Sequence, residues 1–170
     1  LIDDLLAVAR LESGTLVVRR EEVDLPRLVS DVLGSFAEQD GREFRADLDR
    51  SLTAVSADAD KLVQVLTNLI SNAVKYSPEG SPVLVRARRN GATAEVSVED
   101  RGPGLTDEEI GKLFGRFVRI DRADLRRVGG TGLGLYITKS LVEMQGGQIW
   151  FESEYRKGTT FHFTIPVAEG

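Results

Sequence analysis

Four residues of one short stretch have the types and spacing to do chemistry together: Asn68, Asn72, Lys75 and Tyr76, within Asn68-Leu69-Ile70-Ser71-Asn72-Ala73-Val74-Lys75-Tyr76. On a helix, positions i, i+4, i+7 and i+8 share one face, so the four form a polar stripe. Around them Leu62, Val63, Val65, Leu66, Leu69, Ile70, Ala73 and Val74 make the helix apolar nearly all round, which predicts burial. A polar stripe on a buried helix must meet partners, water or a ligand. An asparagine carbonyl can complete a hydrated Mg²⁺ shell, a lysine offers phosphate a point charge, and a tyrosine offers a base a flat face. The stripe asks for a nucleotide.

Three further segments carry candidate chemistry. Asp100-Arg101-Gly102-Pro103-Gly104 follows a stretch whose alternation turns Asp100 inward. A buried carboxylate needs hydrogen-bond donors, and an adenine amino group is a suitable one. The glycines would let backbone approach a flat ligand closely. Taken alone, this segment also reads as an ordinary strand-ending turn. Gly129-Gly130-Thr131-Gly132-Leu133-Gly134-Leu135 opens a helix, where free amides and the helix dipole cradle anions. It has neither the Lys-Ser/Thr ending of a P-loop nor the dinucleotide fingerprint spacing, and by itself it reads equally as a hinge. Phe114 and Phe117 stand three apart beside Arg116 and Arg119. The phenylalanines suit a core edge, and the arginines suit either solvent or a phosphate clamp.

The elements that must position these residues follow from periodicity and turn chemistry. Residues 1 to about 13 read as an amphipathic helix stopped by Gly14, wanting a partner on its own domain or on another. Leu16 to Arg20 reads as a short strand. Asp24 caps a helix to about Gln39, with Pro26 in its first turn. Short strands are expected at Glu43 to Leu48 and Thr53 to Ser56, and the striped helix at Asp58 to Tyr76. Strands Pro82 to Arg89 and Thr93 to Asp100 form a hairpin around Asn90-Gly91. Two short helices between Asp107 and Phe117, then a mobile loop over 118–130, precede a helix from Gly132 to Gln145. Gln148 to Glu154 and Thr159 to Val167 close the chain as a hairpin. Hairpins outnumber βαβ units, so the fold class is α+β: helices on one face of a mostly antiparallel sheet.

Composition removes other classes. With 170 residues, a domain plus a short appendage is expected. The net charge of −5 argues against nucleic acid as a partner. No cysteine is present and His162 is the single histidine, which excludes disulfide scaffolds, thiolate nucleophiles and multi-histidine metal sites. No segment has the run of about 18 apolar residues that a membrane-spanning helix needs. The chain opens on Leu1 instead of Met, so a piece of a longer protein is expected.

In their order along the chain, the four segments resemble the N, G1, F and G2 boxes of the sensor histidine kinase catalytic domain. That domain belongs to the Bergerat-fold ATPases, with DNA gyrase, the MutL-type ATPases and the heat-shock chaperone ATPases. The resemblance spans about residues 16 to 167 and includes the closing strand Gly158-Thr159-Thr160-Phe161-His162-Phe163-Thr164-Ile165-Pro166. Leu11-Glu12-Ser13-Gly14 is similar to the end of the family's dimerisation helix, which implies a boundary between residues 1–15 and a catalytic domain at 16–170. The implied fold is a two-layer α/β sandwich, and the implied cofactors are ATP and Mg²⁺. By position, the resemblance implies that Asn72 coordinates the metal and Asn68 supports metal or phosphates. Lys75 would bind phosphate, Tyr76 would lie on adenine and Asp100 would take the adenine amino group, in a pocket shaped by Gly102 and Gly104. Gly130, Thr131, Gly132, Leu133 and Gly134 would line the phosphate path, and Arg119 would reach the γ-phosphate.

Hydrolysing members of the superfamily usually carry a glutamate where Asn68 stands. An amide cannot take a proton from water at neutral pH, so transfer to another nucleophile is expected in place of rapid hydrolysis. His162 alternates with Phe161 and Phe163 and should face outward, away from the phosphates. The acceptor histidine is therefore expected upstream, on the chain's own dimerisation domain. A response regulator is the implied onward partner. The full-length parent is expected to be a homodimer, with this chain cytoplasmic and the parent in the bacterial inner membrane; the chain by itself is expected to be monomeric. The alternatives are an anti-sigma-factor-type serine kinase, another ATPase of this fold, or a degenerate interaction module. The amphipathic residues 1 to 13 and the intact segments argue against them.

Overall fold

The computed structural model describes residues 2–39, 41–52, 54–104, 133–154 and 156–168. The two short helices, the mobile loop and the segment carrying Phe114, Phe117, Arg119, Gly130, Thr131 and Gly132 lie outside the described residues.

In chain order the elements are α1 Ile2–Ser13, β1 Glu21–Asp24, α2 Leu25–Gln39, β2 Phe44–Leu48, β3 Ala54–Ala57, α3 Ala59–Tyr76, β4 Val83–Asn90 and β5 Thr93–Asp100. After the undescribed segment come α4 Gly134–Met144, β6 Ile149–Glu154 and β7 Gly158–Pro166. A five-stranded sheet has the order β2-β4-β5-β7-β6, and β1 and β3 form a separate antiparallel pair. Among the described strands only β2 and β4 pair in parallel, so the expected mixed, mostly antiparallel sheet is observed.

Alternation decides the two faces of the sheet. Val83, Val85 and Ala87, then Ala94, Val96, Val98 and Asp100, then Phe161, Phe163 and Ile165 are buried on the face that the helices cover. The opposite face carries charge: Arg86, Arg88, Glu99 and Glu152 are exposed there. α3 and α4 complete the core with Leu62, Leu66, Leu69, Ile70, Ile137 and Leu141, all at most 2 % exposed. Burying each of these side chains contributes about 1.5–3 kcal/mol before entropy is counted. Among the described residues no helix is long and apolar enough to cross a membrane.

Helix starts follow their caps. Asp24 Oδ1 accepts from the Arg27 backbone N–H at 3.2 Å, and Asp58 Oδ1 accepts from Lys61 N–H at 3.3 Å. Gly14, at φ 71°, ends α1 as expected. Val8 of α1 is buried, whereas Ile2, Leu5 and Leu6 are exposed, so this helix packs on the domain along only part of its apolar stripe.

Three expectations need correction. Leu16 to Arg20 forms no strand; the strand starts at Glu21, where Val23 pairs with Val55. Instead of a ladder, Arg19 N–H donates to Asp58 Oδ2 at 3.0 Å, and Val17 is exposed. The turn between β4 and β5 is Gly91-Ala92, closed by the Asn90–Thr93 pair, and Gly91 holds φ 64°. Asn90 thus belongs to the strand, since a two-residue loop with positive φ at its first position needs only one glycine. Finally, α3 is not apolar-buried all round: Val63 is 39 % exposed, beside Leu28, Val32 and Phe36 of α2, where those two helices diverge into a groove.

Candidate functional site

The stripe on α3 emerges gradually from the core. Asn68 and Asn72 are half-buried, while Lys75 and Tyr76 are exposed. Asn68 is held: its amide Nδ2 donates to Thr138 Oγ1 at 3.1 Å, and the Thr138 hydroxyl donates to the Gly134 carbonyl at 2.7 Å. Ser77 ends the helix, its N–H and its hydroxyl both donating to the Ala73 carbonyl. The Arg42 guanidinium then closes the last turn, donating to Ser77 Oγ at 2.7 Å and to the Val74 and Ser81 carbonyls at 3.4 Å. A cation at a helix C-terminus complements the exposed carbonyls and the dipole. The backbone carrying Lys75 and Tyr76 is thereby fixed.

Asp100 ends β5 facing inward as expected and is 7 % exposed. Burial pushes its carboxyl up to about 6, against the Gly102 and Thr159 backbone N–H groups that pull it down; the neighbouring Glu99 charge adds to the rise. Gly102 N–H reaches Asp100 Oδ1 at 2.8 Å. Gly102 has a stricter reason to be glycine than access for a ligand. A methyl in place of its hydrogen would lie 2.6 Å from the Tyr76 carbonyl oxygen and 2.9 Å from Asp100 Oδ1. Only glycine lets the end of β5 lie against the end of α3. Gly104 follows at φ 68°, a conformation that also favours glycine.

Leu133, the fully buried residue before α4, has an apolar side chain and supplies no cap. A helix start carries partial positive charge and amides that suit an anion. Gln145, fully buried at the other end of α4, accepts from Asp58 N–H at 2.9 Å and donates to the Leu141 carbonyl at 2.9 Å. α3 and α4 are thus cross-linked by part-buried polar bonds at two levels.

Of the residues that sequence reading singled out, the structure places Asn68, Asn72, Lys75, Tyr76, Asp100, Gly102, Gly104, Leu133 and Gly134 on three adjoining segments: the C-terminal half of α3, the end of β5 and the start of α4. Gly102 against Tyr76 joins two of them, and the Asn68–Thr138–Gly134 bonds join the third. Arg119, Gly130, Thr131 and Gly132 lie outside the described residues. His162 sits apart on the opposite sheet face, stacked on Trp150 at 5.3 Å and 7°, with Nδ1 3.2 Å from Glu95 Oε1. Thr138, Arg42, Ser77 and Gln145 were not anticipated. Thr138 left one trace in the sequence: it is the polar residue four after Gly134, next to Ile137 on the apolar side of α4.

A buried carboxylate, glycines at close quarters, an amide–lysine face and a helix N-terminus suit a purine carrying a polyphosphate. Comparison with known proteins agrees. A family model described as histidine kinase-, DNA gyrase B- and HSP90-like ATPase matches residues 57–169. The sensor histidine kinase WalK of Bacillus subtilis (strain 168) is 41 % identical over 174 residues, an alignment covering 99 % of this chain and 28 % of WalK. Full-length ShkA, solved in complex with AMPPNP, superimposes with a TM-score of 0.86 at 31 % identity, covering 99 % of this chain and 35 % of ShkA. The histidine kinase ThkA in complex with the response regulator protein TrrA gives a TM-score of 0.75 at 25 % identity, over 96 % of this chain and 47 % of that one. The chain therefore spans between about a quarter and a half of the length of these relatives.

Proposed function

Because the chain belongs to the family of histidine kinase-, DNA gyrase B- and HSP90-like ATPases and is the ATP-binding catalytic domain of a histidine-kinase-like protein, we propose that it transfers the γ-phosphoryl group of Mg²⁺-ATP to a histidine on a dimerisation domain. A response-regulator aspartate would receive the group next.

The observation that carries this reading is the environment of Asn68. Its amide nitrogen is occupied by Thr138, and its carbonyl is not a base at neutral pH. Such a residue positions; it does not activate water. With water unactivated, the phosphoryl group goes to a nucleophile presented from elsewhere, and the domain's work is alignment and charge neutralisation. His162 faces away from α3 on the far side of the sheet, which supports an acceptor outside this chain.

In this reading the Asp100 carboxylate accepts from the adenine amino group in addition to the Gly102 and Thr159 backbone N–H groups. Tyr76 lies along the base, and Gly102 and Gly104 shape the base pocket. Lys75 neutralises phosphate charge. Gly130, Thr131, Gly132, Leu133 and Gly134 give amides to the phosphates, and Arg119 contacts the γ-phosphate. The donor set fits Mg²⁺: Asn68 and Asn72 stand four apart on one half-buried face of α3, each with a carbonyl oxygen of the kind a hard cation takes. The ion would come with the phosphates and take one oxygen from Asn72, with Asn68 alongside, as a reluctantly dehydrated cation does. When bound, it neutralises charge across the phosphates. Residues 1–15 would be the end of the dimerisation helix, consistent with the partly covered apolar stripe of α1. The ThkA complex with TrrA supports a response regulator as partner.

The test mixes this chain, γ-labelled Mg²⁺-ATP and a polypeptide carrying the parent's dimerisation hairpin. Acid-labile, alkali-stable label on the hairpin is expected. Acid-stable phosphoserine would favour the serine-kinase alternative, and release of free phosphate alone would overturn transfer.

A further inference from the structure

The Thr138 hydroxyl has one proton and places it on the Gly134 carbonyl at 2.7 Å. Toward Asn68, 3.1 Å away, it can therefore only accept. The residue at position 68 must answer with a donor, so the Asn68 amide turns its nitrogen to Thr138 and its carbonyl oxygen to the other side. Thr138 is fully buried, which keeps its hydroxyl out of water. The Gly134 carbonyl belongs to the first turn of α4.

We propose that Thr138 is a positioning residue for the Asn68 amide: its committed hydroxyl fixes which atom of that amide faces the phosphates and metal, and ties this choice to the first turn of α4. This rests on the kinase reading above. It explains why an amide is required there on structural as well as catalytic grounds. A carboxylate at position 68 would offer Thr138 no donor, and satisfying it would pull the hydroxyl proton off the Gly134 carbonyl. It also makes the glycine-rich start of α4 and the asparagine face of α3 one hydrogen-bonded unit, so that displacement of the helix start would be felt at Asn68.

Thr138→Val keeps the shape and removes the hydroxyl; Thr138→Ser keeps the hydroxyl. Nucleotide affinity is measured by calorimetry with Mg²⁺-ATP and with ATP in EDTA, and the Asn68 side-chain amide is followed by two-dimensional ¹H–¹⁵N NMR. In Thr138→Val the Mg²⁺-ATP affinity should fall about three- to tenfold, the equivalent of one neutral hydrogen bond. The EDTA value should hold, and the Asn68 NH₂ resonances should lose their hydrogen-bonded shift. Thr138→Ser should restore both. A parallel fall in the two affinities, tracking the melting temperature and not rescued by serine, would reduce Thr138 to packing. If wild type bound no Mg²⁺-ATP, the functional reading would fail; the Asn68 resonances, measured without nucleotide, would still decide the positioning, and their insensitivity to Thr138→Val would overturn it.

Discussion

Asp100→Asn keeps the shape of the buried side chain and removes its charge. The folded chain holds the Asp100 carboxyl at about 6, against an ordinary 3.8, mainly because burial penalises the ion. A rise of about two units corresponds to about 3 kcal/mol of unfavourable ionisation. Between these two values the native state binds the proton more tightly than the unfolded state, so this group makes the nucleotide-free protein less stable as pH rises through the window. Recognition of an amino donor runs the other way, because it needs the ionised form. With a carboxyl at about 6, only about one-tenth is ionised at pH 5, so adenine-dependent affinity should be about tenfold weaker there than at pH 7.5. Asparagine cannot titrate. Its amide can offer one oxygen where the carboxylate serves Gly102, Thr159 and the ligand, so affinity at pH 7.5 should fall by about ten- to a hundredfold. The assay is ATP binding by calorimetry from pH 5 to 8, taking the ratio of wild-type to variant affinity so that ionisation of the terminal phosphate, near 6, cancels. The ratio should rise with pH and level off above pH 6 to 7. From pH 4 to 7 the stability difference should move in the variant's favour by about 2 kcal/mol. A ratio that stays flat with pH would refute the reasoning.

Two further substitutions follow from the joints around the site. Gly102→Ala should cost about 1–3 kcal/mol, because the added methyl meets the Tyr76 carbonyl oxygen at 2.6 Å and backbone cannot step aside; urea unfolding should show a lower midpoint at unchanged slope, and an unaltered midpoint would mean that β5 and α3 do not abut this closely. Arg42→Ala should cost about 1–2 kcal/mol by releasing Ser77 Oγ and two carbonyls; backbone hydrogen exchange should accelerate at Val74, Lys75 and Tyr76, and unchanged exchange there would show that the guanidinium does not hold the helix end.

Local rules made much of the fold legible. The strict alternation of β5 carried through one more step to Asp100 and placed its carboxylate on the buried face before any coordinates did. Asp58 and Asp24 announced their helices because capping is decided within three residues. What escaped was decided at a distance. The first strand lies at Glu21–Asp24 because Val55 of β3 pairs with Val23, and nothing within Leu16 to Arg20 reveals that partner. Arg42 reaches Ser77 across 35 positions of sequence, so its hold on the striped helix could not be read from spacing. Thr138 looks like core filler because a β-branched side chain on an apolar helix face packs like valine; only the facing Asn68 gives its hydroxyl a task. Of the site, the residue types were legible and the joints between their segments were not.

Whether the asparagine face of α3 holds nucleotide through a metal is tested most directly by one titration. ATP is titrated into wild type and Asn72→Ala, with Mg²⁺ and with EDTA. The Asn72 side chain makes no hydrogen bond among the described residues, so its loss should leave the fold and the melting temperature unchanged. Wild type should bind Mg²⁺-ATP in the micromolar range and lose affinity in EDTA, whereas Asn72→Ala should bind equally weakly in both. Equal binding by the two proteins with Mg²⁺ present would contradict the site.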